Sequence, residues 1–109
     1  MEELIQAVYD QLMLDINPTR EGESDALLIK VENAAKAIRN LRRYPSTMDE
    51  TAIAADMAHY FAQIYDLAMY DFNQRGAEGQ SVVQENGEYR SFHHRLDMIK
   101  GVYPFAVLV

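Results

Sequence analysis

The chain has 109 residues, no cysteine and a net charge of −7, with ten Lys and Arg against 17 Asp and Glu. This length allows a single domain, the lack of cysteine excludes disulfides and thiolate metal sites, and the acidic balance opposes non-specific binding to nucleic-acid phosphates. No apolar run approaches the roughly 20 residues that span a bilayer, and the acidic start MEELIQAVYD is unlike a signal peptide, so we expect a cytosolic protein that makes no membrane contact.

Two amphipathic helices are predicted in the first half of the chain. The first runs from Glu2 to Ile16 and ends because Pro18 disfavours a helical Asn17. The second is expected to be capped by Ser24 or Asp25 and to be stopped by Pro45. Helical spacing assigns these residues to the core: Ile5, Val8, Leu12, Ile16, Leu28, Val31, Ala35, Ile38 and Leu41.

A long third helix is predicted over roughly residues 48–73, because Thr47 and Glu50 have the spacing of a capping box. Its apolar side contains Ile53, Met57, Tyr60, Phe61, Ile64, Ala68 and Phe72, and its polar side includes Asp56, His59 and Asp66. Between the two sides lie Ala55, Ala58, Ala62 and Met69. Small side chains allow a second helix to come close, so this strip predicts a further contact, within the chain or between subunits.

An arm is predicted over residues 76–92. Gly76 and Gly79 release the chain from the helix, and Asn86-Gly87 is the strongest two-residue turn signal for a β-hairpin. An isolated hairpin is marginal in water, so we expect a neighbouring subunit to complete this one. The residues expected in that interface are Gly76, Glu78, Gly79, Val82, Val83, Asn86, Gly87, Tyr89, Arg90 and Phe92.

The last segment, residues 93–109, is predicted to hold a short helix through His94 to Lys100, with Gly101 as its stop. The final eight residues, VYPFAVLV, contain no charge, and we expect them to dock in a partner's groove or on a sheet edge. The docking residues would be Val102, Tyr103, Pro104, Phe105, Val107 and Leu108. The fold class is therefore mainly α: a three-helix body over residues 1–75, the hairpin arm and this docking tail.

Three motifs contain residue types that could support chemistry. Asp56-x-x-His59 has a spacing used in di-metal helix bundles, but an exposed polar pair is the preferred interpretation because no inward-facing acids accompany it. His93-His94 lacks a nucleophile motif, so no enzyme activity is predicted. No cofactor or metal is predicted either.

The third motif, RNLRR from Arg39 to Arg43, has the charge to contact phosphates. The preferred interpretation is a helix end whose Arg39, Arg42 and Arg43 pair with acids of a neighbouring element or subunit.

The order of elements, with YDFNQRGAEGQ, then QENGEYRSF, then IKGVYPF, resembles the head-tail connector proteins of tailed bacteriophages, also called adaptor or head-completion proteins. The residues that carry the resemblance are Asn73, Gly76, Glu78-Gly79, Glu85-Asn86-Gly87, Arg90, Pro104 and Phe105. The resemblance implies a ring of about twelve copies beneath the portal protein, in the neck of the virion. Such a ring extends the DNA channel and offers a docking surface to a tail-side neck or stopper protein.

An acidic ring would let DNA pass without binding it specifically, and Asp56 and Asp66 are candidates to face the channel. Two alternatives stay open at this point. One is a small acidic helical regulatory or DNA-binding-like module of phage origin that uses RNLRR, and the other is a small enzyme that uses His93-His94.

Overall fold

The computed structural model describes residues 1–74 and 97–105, and it is mainly α-helical, as the sequence predicts. Helix α1 spans Glu2–Ile16, α2 spans Glu23–Arg42, α3 spans Glu50–Met57 and α4 spans Phe61–Gln74. A 3₁₀ turn, Ala58–Tyr60, joins α3 to α4. No strand occurs within the described ranges. The predicted arm over residues 76–92 lies outside them.

The first helix ends where the sequence predicts. Asn17 adopts the left-handed conformation with φ 50°, and its backbone N–H donates to the Met13 carbonyl at 2.9 Å. Asparagine tolerates this conformation better than most residues, so the Asn17-Pro18 pair terminates α1 without leaving its last turn open.

Both predicted helix caps are wrong in position. Helix α2 begins at Glu23 after Gly22, whose φ of 82° suits glycine, and no side chain caps it, so Ser24 and Asp25 lie inside the first turn. Helix α3 is capped by Asp49, whose carboxylate accepts from the Ala52 N–H at 2.8 Å. The Thr47 capping box does not form, because Asp49 supplies the acceptor.

The long third helix is interrupted. The helical path continues from Glu50 to Gln74, but the turn at Ala58–Tyr60 is wound more tightly than its neighbours. The sequence contains no proline or glycine there to mark the change. The apolar side is nevertheless kept: Ile53, Met57, Ile64, Ala68 and Phe72 are buried, together with Leu67.

The core lies where α1, α2 and α4 pack against one another, with α2 central. Its buried side chains are Val8, Leu12, Leu27, Val31, Ala34, Ala35, Ile38, Ile53, Met57, Ile64, Leu67, Ala68, Phe72 and Val102. Alanines at positions 34 and 35 keep the central helix close to its neighbours. At the edge of the core, the Tyr65 hydroxyl donates to the Asp15 carboxylate and so ties α4 to α1.

Residues 97–105 pack against this body. Residues 97 and 98 are helical, and Gly101, at φ 92°, closes the following turn, as predicted for a glycine stop. Met98 and Ile99 pack against the core, and Val102 is buried in it. Among the described residues, no helix has both the length and the apolar character required to cross a membrane.

Candidate functional site

Arg42, the last residue of α2, forms a partly buried ion pair. Its guanidinium binds the Asp56 carboxylate of α3 through two bonds, Nε to Oδ2 at 2.9 Å and Nη2 to Oδ1 at 3.1 Å. The side chains are only 11% and 17% exposed. A fork-to-fork pair of this kind fixes the angle between two elements as well as their distance.

Aromatic rings surround the Arg42 guanidinium. Its central carbon lies 5.7 Å from the Tyr44 ring centroid, 5.0 Å from Tyr60 and 5.2 Å from Phe105. These distances are within the range in which a cation is attracted to a ring face. The Tyr44 hydroxyl also donates to Asp56 Oδ2 at 2.5 Å. We call Arg42, Tyr44, Asp56 and Tyr60 together the Arg42 clamp.

The electrostatics of the clamp follow from its burial and its hydrogen bonds. Burial alone would raise the pKa of Asp56, but the bonds from Tyr44 and Arg42 outweigh it, so this pKa is lowered. Burial and the bond donated to Asp56 raise the pKa of Tyr44 to about 12. The pKa of Arg42 is also raised: burial opposes the charged form, while the bonds to its partners favour it more strongly. The clamp therefore stays charged on Arg42 and Asp56 and neutral on Tyr44 at physiological pH.

The clamp holds Tyr103 and Phe105 through their main-chain atoms. Arg42 Nη1 donates to the Tyr103 carbonyl at 2.8 Å, and the Phe105 N–H donates to the Arg42 carbonyl at 2.5 Å. The Phe105 ring lies 5.7 Å from the Tyr44 ring. We call Val102–Phe105 the docking segment.

The docking segment corrects one part of the predicted docking tail. The sequence predicts that Val102 contacts a partner, but its side chain is buried in the core of its own chain, an apolar residue next to Met98 and Ile99, which pack against the same core. Tyr103 and Phe105 stay 66% and 40% exposed. Pro104 is half-buried between them, and Val107 and Leu108 lie outside the described residues.

Two of the three arginines of RNLRR pair with acids of α3 in the same chain, as the preferred interpretation expects for a helix end. Besides the Arg42–Asp56 pair, Arg39 binds Glu50 through two bonds of 3.1 and 2.7 Å. That second pair is open to solvent, with side chains 36% and 73% exposed. Arg43 is exposed and adopts the left-handed conformation that ends α2.

The alanine strip predicted on the third helix is on the surface. Ala55, Ala58 and Ala62 are all exposed, and Asp66 is exposed one turn further on. Asp56, the other candidate for a channel-facing acid, was assigned to the polar side of the helix. Its carboxylate instead turns towards Arg42 and Tyr44 because those groups satisfy its charge.

The structure describes one of the two motifs considered for metal or enzyme chemistry, Asp56-x-x-His59. His59 is exposed, and the Asp56 carboxylate beside it is bound by Arg42 rather than left free for a metal. Within residues 1–74 and 97–105, no group of three or more potential metal ligands comes together. His93 and His94 lie outside those ranges.

Sequence reasoning missed the clamp because its members lie on different elements, α2, the loop after it, α3 and the 3₁₀ turn, and share no periodic pattern. Tyr44 and Tyr60 attracted no functional prediction, and Tyr44 sits in a loop where no periodicity applies. The only available signal was Arg42 itself, a cation at a helix end with acids on the following helix.

Comparisons with models of protein families, with curated proteins and with solved structures find no match to this chain.

Proposed function

We propose that this chain is a structural protein of the virion neck, of the head-tail connector type. It forms an oligomeric ring below the portal, extends the DNA channel and joins the capsid to neck and tail components. The observation that carries this proposal is the uncharged exposed surface of residues 51–62, which lie on α3, the 3₁₀ turn and the start of α4.

That surface is unusual for this chain. Between Thr51 and Ala62 the exposed side chains are four alanines, one threonine and one histidine, with no carboxylate and no lysine or arginine. The exposed face of α1, by contrast, includes Glu2, Glu3, Asp10 and Asp15. A surface of small uncharged side chains in a protein of net charge −7 favours close contact with another helix, where burying a charge would be costly.

The pairing of the arginines weighs against the alternative of a DNA-binding-like module. Arg42 is bound to Asp56 in a partly buried pair, so its contact with a phosphate would require breaking an ion pair that the fold already makes. Arg39, in an exposed pair with Glu50, and Arg43 would add about two phosphate contacts, which are too few for an acidic protein to bind DNA at physiological salt.

The charge of the chain supports passage of DNA. Copies arranged in a ring would carry a strong negative field, which repels the duplex and keeps it from adhering to the channel wall. Asp66, on α4, is exposed one turn beyond Ala62, the last alanine of the strip. We therefore propose Asp66, in preference to Asp56, as a residue near the channel. The β-hairpin arm of residues 76–92 and its contact with a neighbouring subunit remain part of the proposal.

The test is the state of assembly with and without the portal protein. Size-exclusion chromatography with light scattering should show rings of the wild-type chain, alone at high concentration or on the portal. Ala62→Arg places a charge on the alanine strip and should prevent assembly. Ala7→Arg makes the same change on the exposed face of α1 and should leave assembly intact.

Two results would overturn the proposal. One is a wild-type chain that stays monomeric, does not bind the portal and shifts a DNA duplex at physiological salt. The other is an Ala62→Arg variant that assembles as well as Ala7→Arg, since the strip would then not be a subunit contact. Circular dichroism of both variants checks that their helical content matches that of the wild type.

A further inference from the structure

The Arg42 clamp has the properties of a peptide-binding site. It offers a hydrogen-bond donor, Arg42 Nη1, and an acceptor, the Arg42 carbonyl, to the main chain of a bound segment, two residues apart. It adds an aromatic contact for one side chain of that segment, Phe105 against Tyr44. Main-chain bonds supply affinity and a ring contact supplies selectivity, as in other modes of peptide recognition.

The contacts do not depend on which copy of the chain supplies the segment. The two bonds join Arg42 to Tyr103 and Phe105, which are 61 and 63 positions further along the sequence. Residues 75–96 separate the end of α4 from residue 97, and a chain of that length reaches up to about 70 Å when extended. A docking segment from an adjacent copy therefore has the reach to make the same bonds.

The clamp is also continuous with the proposed subunit contact. Asp56, which holds Arg42 in place, is preceded in α3 by Ala55 and lies within one turn of Ala58, both on the exposed strip. A neighbour seated on that strip would bring its own chain end close to the clamp. The Tyr103 ring, most of which is exposed when the segment is bound in its own chain, would gain a surface to pack against.

We infer that the Arg42 clamp binds the docking segment of a second copy in the assembled ring, and binds its own segment only in the isolated chain. This inference rests on the ring proposed above. In the isolated chain Val102 is buried in its own core, and exchange would bury it in the equivalent place of the second copy. Exchange of an identical element replaces each contact by the same contact, so it costs little. A tethered segment competes at an effective concentration on the order of millimolar, so dilute chains keep it in cis, whereas neighbours fixed in a ring compete on similar terms.

Crosslinking tests this directly, because the chain has no cysteine of its own. Arg43→Cys places a thiol next to the Arg42 carbonyl, and Tyr103→Cys keeps the main-chain carbonyl that Arg42 binds. Mixing the two single variants, allowing rings to form and adding a short thiol-specific crosslinker joins positions 43 and 103 only between chains. Asn33→Cys, about 15 Å further back along α2, replaces Arg43→Cys as the control.

The expected result is a crosslinked dimer from Arg43→Cys with Tyr103→Cys in the ring fraction, and none from Asn33→Cys with Tyr103→Cys. Adding Phe105→Ala to the Tyr103→Cys chain should reduce the dimer several-fold, because the ring contact with Tyr44 is lost. The double variant Arg43→Cys/Tyr103→Cys, as a dilute monomer, should crosslink within one chain.

Rings that form without the mixed dimer, while the double variant still crosslinks internally, would overturn the exchange and leave the connector proposal standing. Chains that form no ring and crosslink only internally would overturn both. A mixed dimer that is equally abundant with Phe105→Ala would also contradict the inference, because the segment would then not be held by the clamp.

Discussion

Replacing Arg42 by alanine should lower the free energy of unfolding far more than replacing Arg39, one turn earlier in α2, by alanine. Arg42→Ala leaves the 17%-exposed Asp56 carboxylate without its cationic partner and removes three hydrogen bonds and the contacts with three rings. Removing one partner of a buried pair costs about 3 to 5 kcal/mol, and the residual exposure here favours the lower value, about 3 kcal/mol.

That loss is large for a chain of this size. A domain of about 110 residues has a free energy of unfolding of roughly 5 to 15 kcal/mol. A loss of 3 kcal/mol corresponds to a fall in Tm of roughly 12 to 20 °C, measured by circular dichroism or calorimetry. Arg42→Lys keeps the charge but not the two-pronged geometry, so its Tm should lie between those of the wild type and Arg42→Ala.

Arg39→Ala is the matched control. Arg39 occupies the same helix and also pairs with an acid through two bonds, but the side chains of that pair are largely open to water. Exposed ion pairs contribute little because water and salt screen them, so the Tm of Arg39→Ala should stay close to that of the wild type. Equal Tm values for Arg39→Ala and Arg42→Ala would refute the reasoning that burial makes the Arg42 pair important.

Three further outcomes are expected in urea or thermal unfolding. Asp49→Ala should cost about 1 kcal/mol of stability and Thr47→Ala almost nothing, because Asp49 caps α3; the reverse order would contradict the observed cap. In acid, the lowered pKa of Asp56 means that the ionised Asp56 carboxylate stabilises the folded protein above about pH 4. This stabilisation is lost as the pH falls through the folded-state pKa of Asp56. The loss should be shallower in Asp56→Asn, and an unchanged acid profile in that variant would contradict this assignment. In alkali, folded-state pKa values of about 12 for Tyr44 and Tyr65, against about 10 in the unfolded chain, predict falling stability between about pH 10 and 12. Tyr44→Phe and Tyr65→Phe should each make the stability decrease less steeply with pH. A slope equal to that of the wild type would contradict the assignment of this decrease to the two tyrosines.

The helices and most of their core residues were predictable because they depend on local pattern. Val8, Leu12, Val31, Ile38 and Met57 follow helical spacing, and the structure buries all five. Asn17-Pro18 is a strong stop signal in any context. Such features need no knowledge of what lies across the core.

The caps and the interruption of the third helix were not predictable in the same way. Thr47 and Asp49 are both good capping residues, and the choice between them depends on Glu50, whose carboxylate binds Arg39 instead of completing the capping box. The 3₁₀ turn at Ala58–Tyr60 has no sequence marker, and it lies beside Tyr60, whose ring packs against Arg42. In both places a residue of the third segment also contacts α2, and such a contact is not part of a helical pattern read within one segment.

The site was predictable only in part for the same reason. The arginines at the end of α2 predict acidic partners nearby. Helical periodicity, however, places Asp56 on the solvent side of its helix, and no sequence pattern predicts that Phe105 contacts Arg42. A prediction based on faces of single helices does not include a bond that spans 63 positions.

The bond from the Phe105 N–H to the Arg42 carbonyl has one more consequence. Carbonyls at the end of a helix have no partner within it, and this one is satisfied by a residue near the end of the chain. We therefore expect the last turn of α2 and the docking segment to open and close together. In hydrogen exchange the Phe105 amide should exchange at the rate of the last turn of α2, and release of the docking segment should fray that turn.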